Sequence, residues 1–306
     1  MTSVIETAHA KLNLTLEVLG RRTDGMHELA SIVAFAECGD WLQHIGGQAH
    51  AMGRNEQPAV RSSVRAHGPF ATAIVGENLV ERALRAVELA AGCPLGVTID
   101  LEKLLPVASG VGGGSADAAA ALRLIREANF DASDRKALAA VDWHAIARSL
   151  GADVPVCLAS RSAIMTGTGE LLRPVTLPRL DIVLANACDA VPADKTRRVF
   201  QALAAGPVAR TSRLGATDRI ERAELIAAMS RIGNDLEGPA TEVMPVIARV
   251  KQAVAETAGC EIAILSGAGP TVVGVYASAE AAQAAARALA SAHRQWWVRP
   301  SATLTT

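Results

Sequence analysis

The chain has 306 residues, of which half are hydrophobic and 20% are charged, as in a globular protein with one large or two medium domains. The net charge of −1, with no basic stripe, argues against a nucleic-acid partner bound through its phosphates. The five cysteines are scattered without a CxxC pair, which argues against structural zinc and a disulfide framework. We find no apolar run near the roughly 20 residues of a membrane span and no signal-peptide pattern, so we expect a cytoplasmic protein that does not bind membranes.

The first hundred residues predict strands and one helix. Residues 78–92 are amphipathic at helical spacing, with Asn78 near the start and Gly92 at the end. Asp24 and Gly25 indicate a turn. We predict strands at 9–20, 28–45 and 96–103, and a loop at 44–58.

A glycine-rich segment, LPVASGVGGGSADAAAAL at residues 105–122, leads into a run of helix-forming residues that begins at Ser115. Glycines and the free N–H groups of a helix N-terminus together favour a phosphate site. A P-loop would need a lysine after the glycines, and a dinucleotide fingerprint would need glycine where Ser115 stands, so neither is predicted. A tight turn for close helix packing remains the alternative. Ser115 is either a helix N-cap or a contact to phosphate or magnesium.

The second half of the chain predicts further strands and helices, with a domain boundary near residue 160. This gives an N-terminal domain of residues 1–160 and a C-terminal domain of residues 161–306. We predict a helix, a loop and a strand in 142–160, a hairpin in 162–178, a strand at 181–187, a loop-rich stretch at 205–225, helices in 233–259 and 279–292, and two strands around a glycine turn in 261–278.

Two charged residues are candidates for chemistry. Asp153 lies in a turn between Gly151 and Pro155. A carboxylate there can take the proton of an alcohol, or it can simply form the turn. Lys11 lies in an otherwise apolar strand, AKLNL. It is either an edge or solvent-facing residue, or a cation that keeps an acidic partner ionised and stabilises an attacking oxygen.

Three blocks together resemble the GHMP kinases: AKLNL, PVASGVGGGSADAA and SGAGPTV, of which the second matches that superfamily's ATP loop. Further blocks, GRRTDGMHEL, LGADVPVCL followed by TGTGE, and GNDLE, resemble one branch of it. Kinases of that branch phosphorylate the 2-hydroxyl of a cytidine-diphosphate-linked methylerythritol in the nonmevalonate route to isoprenoids. The resemblance implies a two-domain α/β (α+β) fold with the active site in the cleft between the domains. It also implies ATP and Mg²⁺ as cofactors.

The resemblance also implies residue roles. Asp153 would be the base and Lys11 its partner, while Asn13 and His27 would contact the substrate and Ser115 would lie near magnesium. The ATP phosphates would be wrapped by Pro106, Val107, Ala108, Ser109, Gly110, Val111, Gly112, Gly113, Gly114, Ser115 and Ala116.

The chain departs from the family pattern at Met26, which the resemblance places at the substrate, and at Ala268 of the SGAGPTV block. Met26 stands where the family usually has a tyrosine that flanks the cytosine ring, and Phe200 matches the other aromatic wall. Ala268 replaces the serine of the usual SGSG turn. Two alternatives therefore remain: a GHMP kinase for another small alcohol, such as mevalonate or homoserine, and a nucleotide-binding protein without catalysis. The expected partner is a small molecule, and the protein is expected to be a monomer or a homodimer.

Overall fold

Strands and helices are mixed along the chain in the computed structural model, which confirms the predicted α/β class. The structure describes residues 5–45, 62–128 and 132–305, without the side chains of residues 132–134. Residues 46–58 of the loop predicted at 44–58 lie outside the described residues. The strands are β1 (Ile5–Asn13), β2 (Glu17–Arg21), β3 (His27–His44), β4 (Ser63–His67), β5 (Thr98–Glu102), β6 (Ala163–Gly167), β7 (Leu171–Pro174), β8 (Asp181–Asn186), β9 (Cys260–Leu265), β10 (Val272–Tyr276) and β11 (Trp297–Ala302). The helices are α1 (Leu79–Ala91), α2 (Gly113–Glu127), α3 (Ala132–Leu138), α4 (Trp143–Leu150), α5 (Val154–Ala159), α6 (Lys195–Leu203), α7 (Arg222–Ile232), α8 (Glu237–Val243), α9 (Val246–Ala255) and α10 (Ala279–Ala292). Within the described ranges, none of these helices has the length and apolar character needed to cross a membrane.

The chain divides into two units that interleave along the sequence. Unit 1 comprises residues 1–9, 39–107 and 113–159, and unit 2 comprises residues 10–38, 108–112 and 160–306. Because the units interleave, the division into domains 1–160 and 161–306 stays a prediction.

Unit 1 is a layer of helices with a small group of strands. The end of β3 pairs antiparallel with β5, which pairs in parallel with β4. Helices α1 and α2 pack against each other. Alanines fill the buried face of α2, and such small side chains allow close packing of neighbouring elements. The caps of α1, Asn78 and a left-handed Gly92, are those that the sequence predicts.

Unit 2 contains β2, β6 and β7 with the first part of β3, and a separate antiparallel sheet. In the first group β3 pairs with β2 and β6, and β6 pairs with β7 in the predicted hairpin. The second sheet has the order β11-β8-β10-β9. Its core includes Val183, Val272 and residues of α9 and α10, among them Ile247 and Leu289. The helices predicted in 233–259 and 279–292 are therefore confirmed.

The prediction of one strand over residues 9–20 is wrong, because the chain forms two strands separated by residues 14–16. Between the strands, the hydroxyl of Thr15 accepts a hydrogen bond from the Ile32 N–H (3.0 Å), and the Leu16 N–H donates to the Gly233 carbonyl (2.9 Å). A side chain and a distant segment thus replace regular strand pairing at this point.

The strand predicted in the VPVCLA stretch is also wrong, because these residues form α5. A short apolar run is compatible with either a buried strand or a buried helix. Here Pro155 stands in the first helical turn, where its missing N–H is tolerated, and the carbonyl of Asp153 accepts the Cys157 N–H at 3.1 Å.

A buried ionic triad joins β3, β5 and α2 in unit 1. The ammonium of Lys103 donates to the carboxylates of Asp40 and Asp117, and Asp40 also accepts the backbone N–H groups of Leu104 (2.6 Å) and Leu105 (2.7 Å). Among the described residues, Asp117 Oδ1 finds no hydrogen-bond partner. Burial raises the pKa of Asp117 to about 8. The negative charge of Asp40 adds to this rise, and the positive charge of Lys103 opposes it.

Replacement of the α1 cap tests the helix boundary. The Asn78 side chain accepts the Val80 N–H at 2.9 Å, so we expect Asn78→Ala to lower the free energy of unfolding by about 1 kcal/mol in urea titrations. Asn78→Asp keeps the acceptor oxygen and serves as the control. An alanine variant as stable as the parent would contradict the cap.

The triad predicts a dependence of stability on pH. Folded Asp117 keeps its proton up to about pH 8, whereas the unfolded chain loses it near its ordinary pKa of about 4. The contribution of this group to stability therefore falls as pH rises through that interval. Asp117→Asn has no proton to lose, so its unfolding free energy should fall less between pH 5 and pH 8 than that of the parent. Asp142→Asn, at an exposed helix cap, is the control, and equal slopes for Asp117→Asn and the parent would refute the assignment.

Candidate active site

Lys11 lies near the end of β1 in unit 2 and is buried, with 4% of its surface exposed. Its ammonium donates to Asn13 Oδ1 at 2.9 Å, and its backbone N–H donates to the carbonyl of Val111 at 2.9 Å. The solvent-facing interpretation of Lys11 is therefore wrong. The strand that carries Lys11 is instead hydrogen-bonded directly to the glycine loop, the part of the glycine-rich segment that precedes α2 (residues 105–112).

Asn13 orients the Lys11 ammonium through a fixed amide. Its Nδ2 donates to the Ser31 hydroxyl at 2.8 Å, and that hydroxyl donates to the Thr15 carbonyl at 2.5 Å. These bonds point the amide oxygen of Asn13 at Lys11. Sequence reasoning missed Ser31, because it lies in a strand whose polarity shows nothing unusual. The predicted contact of Asn13 with substrate stays a prediction.

The glycine loop leads directly into α2, which begins at Gly113, two residues before the predicted start at Ser115. Ser115 therefore lies in the first helical turn and is not the N-cap. Gly110 (φ 85°) and Gly112 (φ 64°) adopt the left-handed region, where glycine carries no steric cost. Ala108 (φ 55°) shares this conformation and pays a steric cost for it.

The SGAGPTV turn packs against the glycine loop. The Thr271 N–H donates to the Ser109 carbonyl at 3.0 Å, and the Ser266 hydroxyl donates to the Gly110 carbonyl at 3.1 Å. The turn itself is held by Asn234 of the GNDLE block, whose Nδ2 donates to the carbonyls of Leu265 (2.9 Å) and Gly267 (2.8 Å). The turn joins the antiparallel strands β9 and β10, so it is a hairpin turn that also contacts the glycine loop.

The N-terminus of α2 has the features of an anion site. The first N–H groups of a helix have no partner within the helix, and they carry the positive end of its dipole. The first turn of α2 contains no acidic residue. A Cβ added at Gly114 would meet no atom within 4 Å, so open space adjoins this turn. These residues fit the phosphates of a nucleotide.

Asp153 lies in unit 1, in the turn between α4 and α5, and is half-buried. Its carbonyl accepts the first bond of α5, from the Cys157 N–H at 3.1 Å, so the helix fixes its backbone. Lys11 belongs to unit 2. The joint action of these two residues stays a prediction.

Two of the predicted substrate-binding residues stack on each other in unit 2. The rings of His27 and Phe200 have centroids 4.5 Å apart and an interplanar angle of 26°. Burial and the positive charge of Arg21 lower the pKa of His27, which is therefore neutral near pH 7. The Met26 side chain next to them is exposed. Phe200 lies on α6.

The donor set for magnesium is sparse. In residues 5–45, 62–128 and 132–305, no group of three or more His, Cys, Asp and Glu side chains could hold a metal ion. Magnesium commonly binds through substrate phosphates with one or two protein oxygens, which the Ser115 hydroxyl can supply. The assignment of Ser115 stays a prediction.

Comparisons with known proteins show the family. The family models described as GHMP kinases N terminal domain and GHMP kinases C terminal match residues 78–161 and 214–295. The chain is 45% identical over 308 residues to the 4-diphosphocytidyl-2-C-methyl-D-erythritol kinase of Parvibaculum lavamentivorans, with 98% of each chain covered. It is 44% identical to the protein of the same name from Rhodopseudomonas palustris, with 96% of this chain and 92% of the relative covered.

A solved structure is also similar over the whole length. The crystal structure of a 4-(cytidine 5'-diphospho)-2C-methyl-D-erythritol kinase has a TM-score of 0.72 and 32% identity, and the match covers 98% of this chain and 100% of that one. Full-length identity at this level shows common family membership. The chain therefore belongs to the GHMP kinases and, within them, to the 4-diphosphocytidyl-2-C-methyl-D-erythritol kinase family.

Proposed function

We propose that this protein transfers the γ-phosphoryl group of ATP to the 2-hydroxyl of 4-diphosphocytidyl-2-C-methyl-D-erythritol, a step of the nonmevalonate route to isoprenoids. The observation that carries the proposal is the direct bond between the strand of Lys11 and the glycine loop, in a chain whose relatives bear that kinase name. The bond keeps the buried Lys11 close to the glycine loop, and enzymes of phosphoryl transfer commonly use a lysine close to the phosphates.

In this proposal the loop and the first turn of α2, from Pro106 to Ala116, bind the ATP phosphates through backbone N–H groups. Asp153 orients the alcohol and accepts its proton, while Lys11 stabilises the negative charge that develops on the attacking oxygen. The Ser115 hydroxyl would be a ligand of Mg²⁺, which would supply positive charge to offset the negative charge of the phosphates. Positioning and electrostatics therefore carry the rate, without a covalent intermediate on the protein.

His27, Phe200, Asn13 and Met26 are proposed to bind the cytidine-diphosphate substrate. The neutral ring of His27 can donate one hydrogen bond and accept another, and Phe200 offers an aromatic face. A thioether at Met26 can lie against a ring edge, although its flexible chain defines the geometry less than an aromatic ring would. The proposed location of this reaction is the cytoplasm.

The substrate is tested by ADP release from Mg-ATP with 4-diphosphocytidyl-2-C-methyl-D-erythritol, mevalonate and homoserine offered separately. We expect turnover with the cytidine compound and none with the other two. Turnover with mevalonate or homoserine would assign another alcohol. Binding of Mg-ATP without turnover on any of the three would support a nucleotide-binding protein that has lost catalysis.

Asp153→Asn tests the general base. The amide keeps the shape of the side chain but cannot accept the alcohol proton, so we expect kcat to fall about 10²-fold or more. Asp142→Asn removes a carboxylate from the same unit while leaving a competent helix cap, and it should keep the parent kcat. Near-parent turnover of Asp153→Asn would refute the role.

Lys11→Met tests the cation. Methionine fills a similar volume at this buried position, so the variant removes the charge with little loss of packing. We expect kcat to fall by a larger factor than the affinity for ATP, because the charge acts on the transition state. Lys251→Met, at a partly exposed lysine paired with Glu237, is the matched control. Loss of ATP binding with kcat preserved would contradict this assignment.

A further inference from the structure

Lys195 occupies a position that neither helix stability nor burial favours. It is the first residue of α6, where a cation meets the positive end of the helix dipole. It is also buried, with 6% of its surface exposed, and burying an ammonium costs free energy unless hydrogen bonds compensate. The compensation comes from contacts outside its own helix.

The ammonium of Lys195 donates to two carbonyl oxygens on different loops of unit 2. One is the carbonyl of Ala108 on the glycine loop, at 2.9 Å, and the other is the carbonyl of Gly269 in the SGAGPTV turn. Both residues adopt left-handed backbone angles, with φ of 55° and 69°. Such charge-assisted bonds are roughly twice as strong as neutral ones. The lysine therefore links the two loops, and at Ala108 it bonds to a residue whose backbone conformation is uncommon for a residue other than glycine.

The two linked loops are also in direct contact beside this bond. A Cβ added at Gly110 would lie 2.6 Å from the Gly269 oxygen and 2.7 Å from the Ser266 oxygen, so the backbones approach as closely as glycine allows. Several carbonyl oxygens thus lie around the loop that is to bind an anion. A carbonyl dipole directed at an anion is repulsive, and an ammonium bonded to the oxygen offsets that repulsion.

We propose that Lys195 is a positioning residue for the nucleotide, which acts by holding the Ala108 and Gly269 carbonyls and so keeps the glycine loop in its phosphate-binding conformation. This inference rests on the proposed function only in assigning the loop to ATP. It requires no particular alcohol substrate. Lys195 acts through the loop, so its loss should affect the affinity for nucleotide more than the affinity for the alcohol.

The test compares Lys195→Met and Lys195→Arg with the parent and with Lys251→Met. The dissociation constant of Mg-ATP is measured by calorimetry without any alcohol, and KM for both substrates and the melting temperature are measured in parallel. We expect Lys195→Met to weaken Mg-ATP binding tenfold or more and to leave KM for the alcohol within about twofold. Lys195→Arg should recover part of the affinity, because it keeps the charge and the donors.

Two results would overturn the inference. One is unchanged Mg-ATP affinity in a folded Lys195→Met protein. The other is a parallel loss of ATP affinity, alcohol affinity and melting temperature, which a purely structural role would produce. If the methionine variant does not fold, Lys195→Gln replaces it, and the same tenfold loss of Mg-ATP affinity is expected. A Lys195→Gln protein with the Mg-ATP affinity of the parent would overturn the inference.

The same data separate this inference from the proposed function. A parent protein that binds Mg-ATP but does not phosphorylate the cytidine substrate would refute the proposed substrate, and the effect of Lys195 on nucleotide affinity would still decide the inference. A parent protein that does not bind Mg-ATP would overturn both.

Discussion

The close approach of two backbones is the constraint on which the proposed nucleotide site depends. Gly110 leaves no room for a side chain against the carbonyls of Ser266 and Gly269, so the glycine loop and the SGAGPTV turn are fitted to each other before any ligand binds. The bond from the Lys11 N–H to Val111 adds β1 to this contact, and Asn234 holds the turn from the other side. In the proposed function, these contacts fix the backbone of the glycine loop, so that its N–H groups stabilise the charge of the phosphates without further rearrangement. Such preorganised electrostatic stabilisation is the main contribution of a protein to phosphoryl transfer.

The sequence predicts those parts of the structure that short-range rules determine. The ends of α1 follow from Asn78 and Gly92, and the presence of a glycine loop before α2 follows from the change of composition near Ser115, two residues after the helix begins, because caps and backbone angles depend on neighbours along the chain. It does not predict Lys103 with Asp40 and Asp117, or Lys195 with its two carbonyls, because the partners lie 14 to 87 residues away. A lone lysine in an apolar stretch gives no sign of which distant oxygen it meets.

The loop-rich stretch at 205–225 shows the same limit. Its composition predicts little, and its structure depends on Glu17, a fully buried carboxylate of β2. The Ser212 hydroxyl donates to Glu17 at 2.7 Å, and Arg213 donates through its backbone N–H (3.0 Å) and its Nε (2.7 Å). Burial raises the pKa of Glu17, but these hydrogen bonds outweigh it, so the pKa lies below its ordinary value and the group stays charged near neutral pH. A charged glutamate in a strand thus fixes a segment almost 200 residues away.

Helix α6 connects the two kinds of recognition that the proposed reaction needs. Lys195 at its first residue bonds to the loops assigned to ATP, and Phe200, five residues further on, stacks on His27 among the residues assigned to the alcohol substrate. A helix is rigid over this distance, so a shift of one end moves the other. Met26 is exposed and is not a rigid aromatic side chain, so in the proposed function the cytosine ring would be positioned by Phe200 and His27. In the proposed function, α6 is therefore the element through which nucleotide binding and substrate binding would influence each other.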